Sequence, residues 1–339
     1  MNSPIRQRYV FIDTLRGLAA CSVVLFHLNV VGLFPPSIYQ TVVKHGWLGV
    51  TAFFVISGFA VHSSLMRLAK PAAFLSRRFW RIYPPYIASV LLVLVLVVGQ
   101  KVMTGTNDFI SLPKGLLGWL ATVTLATNPV TSVPAINWVY WSLSYEAAFY
   151  LILSAAFIRL WLRWPVLLLS SVLAIMLPTS PLFFLNGWTY FALGVVIAEL
   201  NRKLNWQTTL LMGLCFTDLG LNRSFPETMT ALVTAFCIGA CTNTWGRWLN
   251  HEPLLHHVGT WSYSLYLIHV PIGCWLVLRL FDPYPRKLSA DSFGWHLLID
   301  LSALAICIAI TYGFWRWIEE PSIRGFKSLS TTARSTTAA

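Results

Sequence analysis

Charged residues are scarce in this sequence. Only 11% of its 339 residues are Asp, Glu, Lys or Arg, whereas 56% are hydrophobic. A soluble protein of this length could not bury so large an apolar fraction, so the composition excludes a soluble enzyme and predicts a chain surrounded by a lipid bilayer. Acidic residues are rarest, at 12 against 24 Lys and Arg. In a membrane protein such an excess of cations marks cytoplasmic loops, so it gives no reason to expect a nucleic-acid partner.

Cysteine is also scarce, and its placement argues against two kinds of site. All six cysteines lie inside apolar segments, at spacings unlike those of metal ligands or of an extracellular disulfide framework. The histidines and carboxylates likewise lack a zinc-binding spacing such as HExxH. We therefore expect no metal site and interpret the cysteines as packing residues.

Long apolar runs make up most of the sequence. Runs of about the length needed to cross some 30 Å of hydrocarbon lie near residues 10–34, 46–66, 84–100, 138–158, 165–178, 182–199, 207–220, 226–243, 258–280 and 292–315. The expected fold is all-α, a polytopic membrane protein with about ten transmembrane helices. We expect one transmembrane domain over residues 1–321 and a cytoplasmic, disordered tail over 322–339, which is small, polar and low in complexity.

A further apolar run, 116–127, is too short to cross as a straight helix. If it did cross, most later Lys and Arg residues would move to the outer side, against the positive-inside rule. We therefore predict that it is re-entrant or interfacial and that both termini are cytoplasmic.

The first apolar run contains three polar residues that are costly in hydrocarbon, Asp13, Arg16 and His27. Arg16 and His27 are eleven residues apart, which places them on one helical face about 16 Å apart along the axis. Asp13 lies three residues before Arg16 and could pair with it. The alternative is a snorkelling arginine and a histidine that packs between helices.

A cationic segment, SRRFWRIYPPY at 76–86, is expected to be a cytoplasmic loop. Arg78 and Arg81 are three residues apart and, with Arg77 and Tyr83, present donors suited to phosphate groups. Topology signalling combined with an aromatic belt would also explain the segment.

Two further segments place polar side chains in apolar surroundings. In NWVYWSLSYEAAFY, 137–150, Glu146 could orient a histidine or bond a neighbouring helix. In GTWSYSLYLIHVPI, 259–272, an interhelical hydrogen-bond network is the favoured role for Tyr263 and His269. The supporting residues expected in the first segment are Trp141, Ser142, Ser144 and Tyr145.

The motifs together resemble membrane acyltransferase family 3. They are, in order, Arg16 and His27 separated by ten residues, FFVISGF, RRFWRIYPPY, WSLSYEAAFY, SYSLYLIHVP and a closing IEEP. The resemblance implies transfer of an acyl group, usually acetyl, from cytoplasmic acyl-coenzyme A to a sugar hydroxyl on the far side of the membrane. It also implies that the chain lies in a bacterial inner membrane, that Arg16 and His27 are essential and that Arg78 and Arg81 are associated with activity. Residues 28–40 lack the acidic residue that some members carry there, so Glu146 is the expected partner of His27.

The resulting hypothesis is an enzyme without a permanently bound cofactor, in which Arg16, Arg77, Arg78, Arg81 and Tyr83 bind the acyl-coenzyme A donor. His27 is the expected general base, and an acyl-histidine intermediate stays open. Ser142, Ser144, Tyr145 and Tyr263 are candidates for oxyanion stabilisation. The acceptor would be a glycan or glycolipid, such as lipopolysaccharide or exopolysaccharide. The alternative is a transporter or flippase that uses the intramembrane Arg, His and Glu.

Overall fold

The structure is a computed structural model that describes residues 10–30, 37–68, 70–105, 112–179, 181–242, 253–278 and 293–325. These residues form helices joined by turns and contain no β-strand, which confirms the all-α fold. The α-helices are α1 (Val10–Val30), α2 (Ile38–Val43), α3 (Leu48–Leu68), α4 (Pro71–Thr104), α5 (Gly115–Val123), α6 (Trp141–Ala156), α7 (Arg163–Met176), α8 (Leu185–Leu200), α9 (Trp206–Asn222), α10 (Phe225–Thr242), α11 (Pro253–Thr260), α12 (Ser262–His269) and α13 (Phe293–Phe314). A 3-10 turn, Leu160–Leu162, precedes α7, and π-helical turns follow α12 at Val270–Val277 and α13 at Trp315–Glu319.

Five helical stretches in the described residues are long and apolar enough to cross a membrane. They are Val10–Val30, Ile38–Leu68, Pro71–Met103, Phe225–Thr242 and Phe293–Gly325. Shorter apolar helices of 10–17 residues occupy Leu160–Met176, Leu185–Leu200 and Ser262–Val277. At 1.5 Å per residue a 17-residue helix extends only about 26 Å, less than the hydrocarbon thickness of about 30 Å. The chain is a helical membrane protein, and the ten predicted crossings are supported only in part.

The apolar run at 116–127 forms the short helix α5. Its nine residues span only about 14 Å at the α-helical rise. Leu116 and Leu117 on this helix are exposed. The prediction that this run is too short to cross as a straight helix is confirmed.

The cationic segment 76–86 is not the loop that we predicted, because α4 continues through it and through Pro84 and Pro85. Proline usually ends a helix because it has no N–H to donate to the carbonyl four residues earlier. Here the Trp80 carbonyl, which Pro84 cannot bond, accepts a hydrogen bond from the Ser322 hydroxyl at 2.8 Å. A side chain distant in sequence therefore satisfies the group that the proline leaves open.

The chain divides into two compact units. The first consists of Met1–Val23, Trp47–Arg67 and Arg159–Ser262. Within it, α3 and α8 approach so closely that a Cβ on Gly58 would lie 2.0 Å from the Phe191 carbonyl oxygen. A Cβ on Gly194 would lie 2.1 Å from the Val55 carbonyl oxygen. Only glycine permits this backbone contact, as expected where helices pack through small residues.

The second unit consists of Val24–Gly46, Leu68–Ile158 and Tyr263–Ala339. Buried hydroxyl groups join its helices: the Tyr86 hydroxyl donates to the Thr122 carbonyl at 2.5 Å. The Ser264 hydroxyl, on α12, donates to the buried Glu319 carboxylate at 2.5 Å. This last bond connects two of the sequence motifs, SYSLYLIHVP and IEEP.

The C-terminal helix continues to residue 325, beyond the predicted domain end at 321. The helical residues 322–325 include Ser322, which bonds α4. The rest of the predicted tail, 326–339, lies outside the described residues, so its disorder stays a prediction.

Candidate active site

Two imidazole rings meet in the second unit. His27 lies in the last turn of α1 and His269 ends α12. His269 Nε2 is 3.1 Å from His27 Nδ1, and the ring centroids are 5.0 Å apart. His269 is buried, at 1% exposure, whereas His27 is half-buried. The interhelical hydrogen bond expected of His269 is thus present, and it involves the histidine that we predicted to be catalytic.

A proline and an asparagine shape the helix that carries His269. Pro271 has no N–H, so it cannot bond the Leu267 carbonyl as the residue four positions later normally would. The buried Asn137 amide donates to this carbonyl instead, at 3.0 Å. The Asn137 side-chain oxygen in turn accepts from the Val139 N–H at 3.4 Å. The segment before α6 is thereby held against α12.

Two tryptophan rings lie near His27. Trp138 follows Asn137 directly, and its ring centroid lies 6.5 Å from that of His27. Trp275 packs edge-on against Trp138, with centroids 6.1 Å apart. Trp138 is 43% exposed. The imidazole is therefore flanked by apolar surface while it stays partly accessible.

The predicted supporting hydroxyls of α6 are engaged in hydrogen bonds. The Ser142 hydroxyl lies 2.6 Å from that of Tyr266, which donates to the Val139 carbonyl at 2.9 Å. The Ser144 hydroxyl donates to the Leu125 carbonyl at 2.9 Å.

The other predicted supporting residues, Tyr263, Trp141 and Tyr145, also contact neighbouring groups. The Tyr263 hydroxyl donates to the Ile82 carbonyl at 2.8 Å, and Trp141 packs edge-on against Tyr145 with centroids 5.5 Å apart. Each hydroxyl has a single proton, so Ser144 and Tyr263 would have to rearrange before they could donate to an oxyanion. Their role in oxyanion stabilisation stays a prediction.

Glu146 belongs to a group formed by α4 and α6. It accepts a hydrogen bond from the Tyr150 hydroxyl. The Arg78 guanidinium lies over the Tyr150 ring and over the Phe74 ring, at 5.1 and 5.2 Å from their centroids. The described contacts thus bring together Glu146, Tyr150 and Arg78, while the expected pairing of Glu146 with His27 stays a prediction.

The arginines at the start of α4 differ in exposure. Arg77 is exposed, whereas Arg78 and Arg81 are both half-buried. Tyr83 stacks on Phe79, with centroids 4.8 Å apart. Arg77 is therefore the most accessible of the three arginines that we predicted to bind phosphate.

Asp13 and Arg16 lie on the part of α1 that belongs to the first unit. Arg16 is half-buried, and Asp13 Oδ2 is 3.6 Å from His256 Nδ1. His256 is on helix α11, so the described contact of Asp13 is to another helix. The predicted pairing of Asp13 with Arg16 stays a prediction.

Comparison with known proteins identifies the family. A family model described as an acyltransferase domain matches residues 9–315. The chain belongs to acyltransferase family 3.

Two relatives of this family member illustrate the similarity. The acyltransferase MdmB of Streptomyces mycarofaciens is 25% identical, over 94% of this chain and 93% of its own length. The protein named "Putative O-acetyltransferase SACOL0978" of Staphylococcus aureus (strain COL) is 25% identical, over 96% of this chain and 59% of its own length. No solved structure is significantly similar to the chain.

In this acyltransferase the pair His27 and His269 is suited to proton transfer. A neutral imidazole accepts a proton readily near neutral pH, and an imidazole held by a second group keeps a fixed orientation. Sequence reasoning identified both histidines but missed Asn137, Trp138 and Trp275. The signal that could have found Asn137 is Pro271, because a proline inside a helix leaves one carbonyl in need of a donor.

Proposed function

We propose that this membrane acyltransferase moves an acyl group, acetyl in the simplest case, from acyl-coenzyme A to a hydroxyl of a cell-surface or exported glycan. The observation that carries the proposal is the half-buried imidazole of His27, held by His269 and flanked by Trp138 in a member of acyltransferase family 3. The names of relatives as O-acetyltransferases support a hydroxyl as the acceptor.

The cations at the start of α4 support coenzyme A as the donor. Arg77 and Arg81 would bind its phosphates, since one guanidinium group can donate two parallel hydrogen bonds to the oxygens of a phosphate. Arg78 and Tyr83 would contribute to the same donor site, and the role of Arg16 in donor binding stays a prediction. We propose that this site opens on the cytoplasm of a bacterium, across the inner membrane from the acceptor, with both termini cytoplasmic.

The chemical step requires one base. His27 takes the proton of the acceptor hydroxyl as its oxygen attacks the thioester carbonyl. The new C–O bond replaces the C–S bond, and the proton passes from His27 to the departing thiolate. The apolar rings near His27 would limit the approach of water once substrates are bound, which would favour transfer to the glycan over hydrolysis.

The experiment uses the purified protein in lipid nanodiscs with radiolabelled acetyl-coenzyme A. The acceptor is total envelope glycan extracted from cells that lack the protein. We expect label in the glycan and an equal amount of released coenzyme A thiol. The same protein in sealed proteoliposomes tests the alternative, because glycan or glycolipid that crosses the bilayer without any donor, with no label transferred, would instead identify a transporter.

A further inference from the structure

The hydrogen bonds of His269 determine which of its nitrogens carries a proton. Its Nδ1 lies 2.9 Å from the Tyr266 carbonyl oxygen and 3.1 Å from the Leu265 carbonyl oxygen. A carbonyl oxygen only accepts, so Nδ1 must donate, and it does so in a bond shared between two carbonyls. Turning the ring over would place a carbon against both carbonyls and lose both bonds.

The His269 ring is neutral in this arrangement. It is buried at 1% exposure, and its described polar contacts are two carbonyls and an imidazole, none of which carries a negative charge. A buried imidazolium with such partners would be strongly unfavourable. With its proton on Nδ1, a neutral His269 has its lone pair on Nε2.

We infer that His269 is a positioning residue that fixes the tautomer of His27. Because His269 Nε2 must accept, His27 Nδ1 must donate across the 3.1 Å contact. The lone pair of a neutral His27 is then on Nε2, which becomes the proton acceptor. This inference rests on the proposed function only for its consequence in catalysis, since the tautomer itself is a property of the resting protein.

The pair has a defined role in the acyl-transfer step. His27 Nε2 receives the hydroxyl proton while the C–O bond forms, and it returns that proton to the thiolate when the C–S bond breaks. The resulting imidazolium of His27 is stabilised because its Nδ1–H already donates to His269 Nε2. No proton leaves His269, so the pair returns to its starting state.

Two amide substitutions separate this role from simple packing. In His269→Gln the amide reaches the position of Nε2 and can still accept from His27. In His269→Asn the shorter amide can bond the backbone one turn earlier, as Asn29 does to the Leu25 carbonyl at 2.9 Å, but it cannot reach His27. We expect kcat to fall about 100-fold in His269→Asn and less than about 10-fold in His269→Gln, with KM for acetyl-coenzyme A unchanged in both. Equal losses in the two variants, or a larger loss in His269→Gln, would overturn the positioning role.

A second measurement does not depend on activity. Nitrogen-15 NMR of the histidine-labelled protein in nanodiscs, with His27 assigned by its loss in His27→Gln, distinguishes protonated from unprotonated ring nitrogens. We expect His27 in the wild type to be protonated at Nδ1 and, in His269→Asn, to shift toward the Nε2–H form. A wild-type His27 protonated at Nε2 contradicts the inference even if the protein proves to be an acyltransferase. A protein without transferase activity that shows the Nδ1–H form refutes only the proposed function.

Discussion

Two histidines near the ends of membrane helices have very different partners. In the first unit, fully buried His62 places Nε2 2.5 Å from Glu199 Oε1, and Arg163 lies 3.5 Å from the same oxygen. In the second unit, half-buried His27 meets neutral His269. The first histidine belongs to a closed group with a carboxylate and a guanidinium, whereas the second stays partly open beside Trp138.

The difference separates a structural histidine from a reactive one. His62 lies one turn from Gly58, where α3 and α8 are in backbone contact, so its bond to Glu199 joins two helices already packed tightly. A fully enclosed ring cannot reach a substrate. His269 holds His27 at Nδ1, and Nε2 of His27 is the nitrogen to which we assign the proton transfer. In this protein the buried imidazole–carboxylate pair therefore has the structural role, and the pair of imidazoles has the proposed catalytic role.

The largest expected effect on stability comes from breaking the His62 pair. His62→Ala leaves the Glu199 carboxylate buried beside an empty space, and we expect a loss of roughly 3 kcal/mol in stability. His27→Ala is the matched variant, and it should cost only about 1 kcal/mol because the lost bond joins two neutral rings. The measurement is the fraction of monodisperse protein after heating in detergent. Equal losses of stability in the two variants would contradict the distinction between the His62–Glu199 pair and the His27–His269 pair.

The helix contact beside His62 offers the next largest effect. Gly58→Ala would place a methyl group 2.0 Å from the Phe191 carbonyl oxygen, so the helices must separate. We expect a loss of about 1–3 kcal/mol, as for overpacked cores. Gly213→Ala in α9 is the control, because nothing lies within 4 Å of the Cβ built there. Thermal unfolding in detergent compares the two, and a Gly58→Ala protein as stable as Gly213→Ala would contradict the close contact.

The cations of α4 extend the comparison from histidine to arginine. Arg163 is bound to Glu199, whereas Arg77 is exposed and Arg81 half-buried. The double variant Arg77→Ala with Arg81→Ala should raise KM for acetyl-coenzyme A at least about 10-fold, which is about 1.4 kcal/mol. KM for acetyl-pantetheine, which lacks the nucleotide phosphates, should not change. Arg67→Ala, which removes one exposed cation outside α4, is the control for a general loss of surface charge. A rise in KM for both donors would argue against phosphate binding.

The smallest effect is expected at Tyr266. Its hydroxyl donates to the Val139 carbonyl and lies 2.6 Å from the Ser142 hydroxyl, so Tyr266→Phe removes both contacts and keeps the ring. The Ser142 hydroxyl can still donate to the Val139 carbonyl, at 3.3 Å, which limits the loss. We expect a loss of about 1 kcal/mol in stability and a fall in kcat of less than about 10-fold. Unfolding curves and steady-state kinetics provide the two values. If Tyr266→Phe lowers kcat as much as His269→Asn does, Tyr266 takes a direct part in the reaction.

The sequence predicted much of the local structure correctly. Apolar runs predicted an all-α membrane protein, and a single helix carries Arg16 and His27. It also indicated that 116–127 is too short to cross as a straight helix. These features depend on residues close together in the chain, where composition and helical periodicity carry the information.

Contacts between distant residues were the part that the sequence could not predict. His27 and His269 are 242 positions apart, and nothing in either motif indicates that the other is its partner. The predicted loop at 76–86 is helical in the structure, and Ser322, the donor to the Trp80 carbonyl that Pro84 cannot bond, is also 242 positions away. Local patterns predict where a backbone group lacks a donor but do not identify the side chain that supplies one.

His27 is the proposed base for acyl transfer, and a single-turnover experiment measures its contribution. Wild type and His27→Gln in nanodiscs are mixed with radiolabelled acetyl-coenzyme A and extracted envelope glycan, and label in the glycan is followed over time. We expect a transfer rate at least about 1000-fold lower in His27→Gln, with acetyl-coenzyme A binding within about 2-fold of wild type. Transfer by His27→Gln at the wild-type rate would contradict the assignment of His27 as the base.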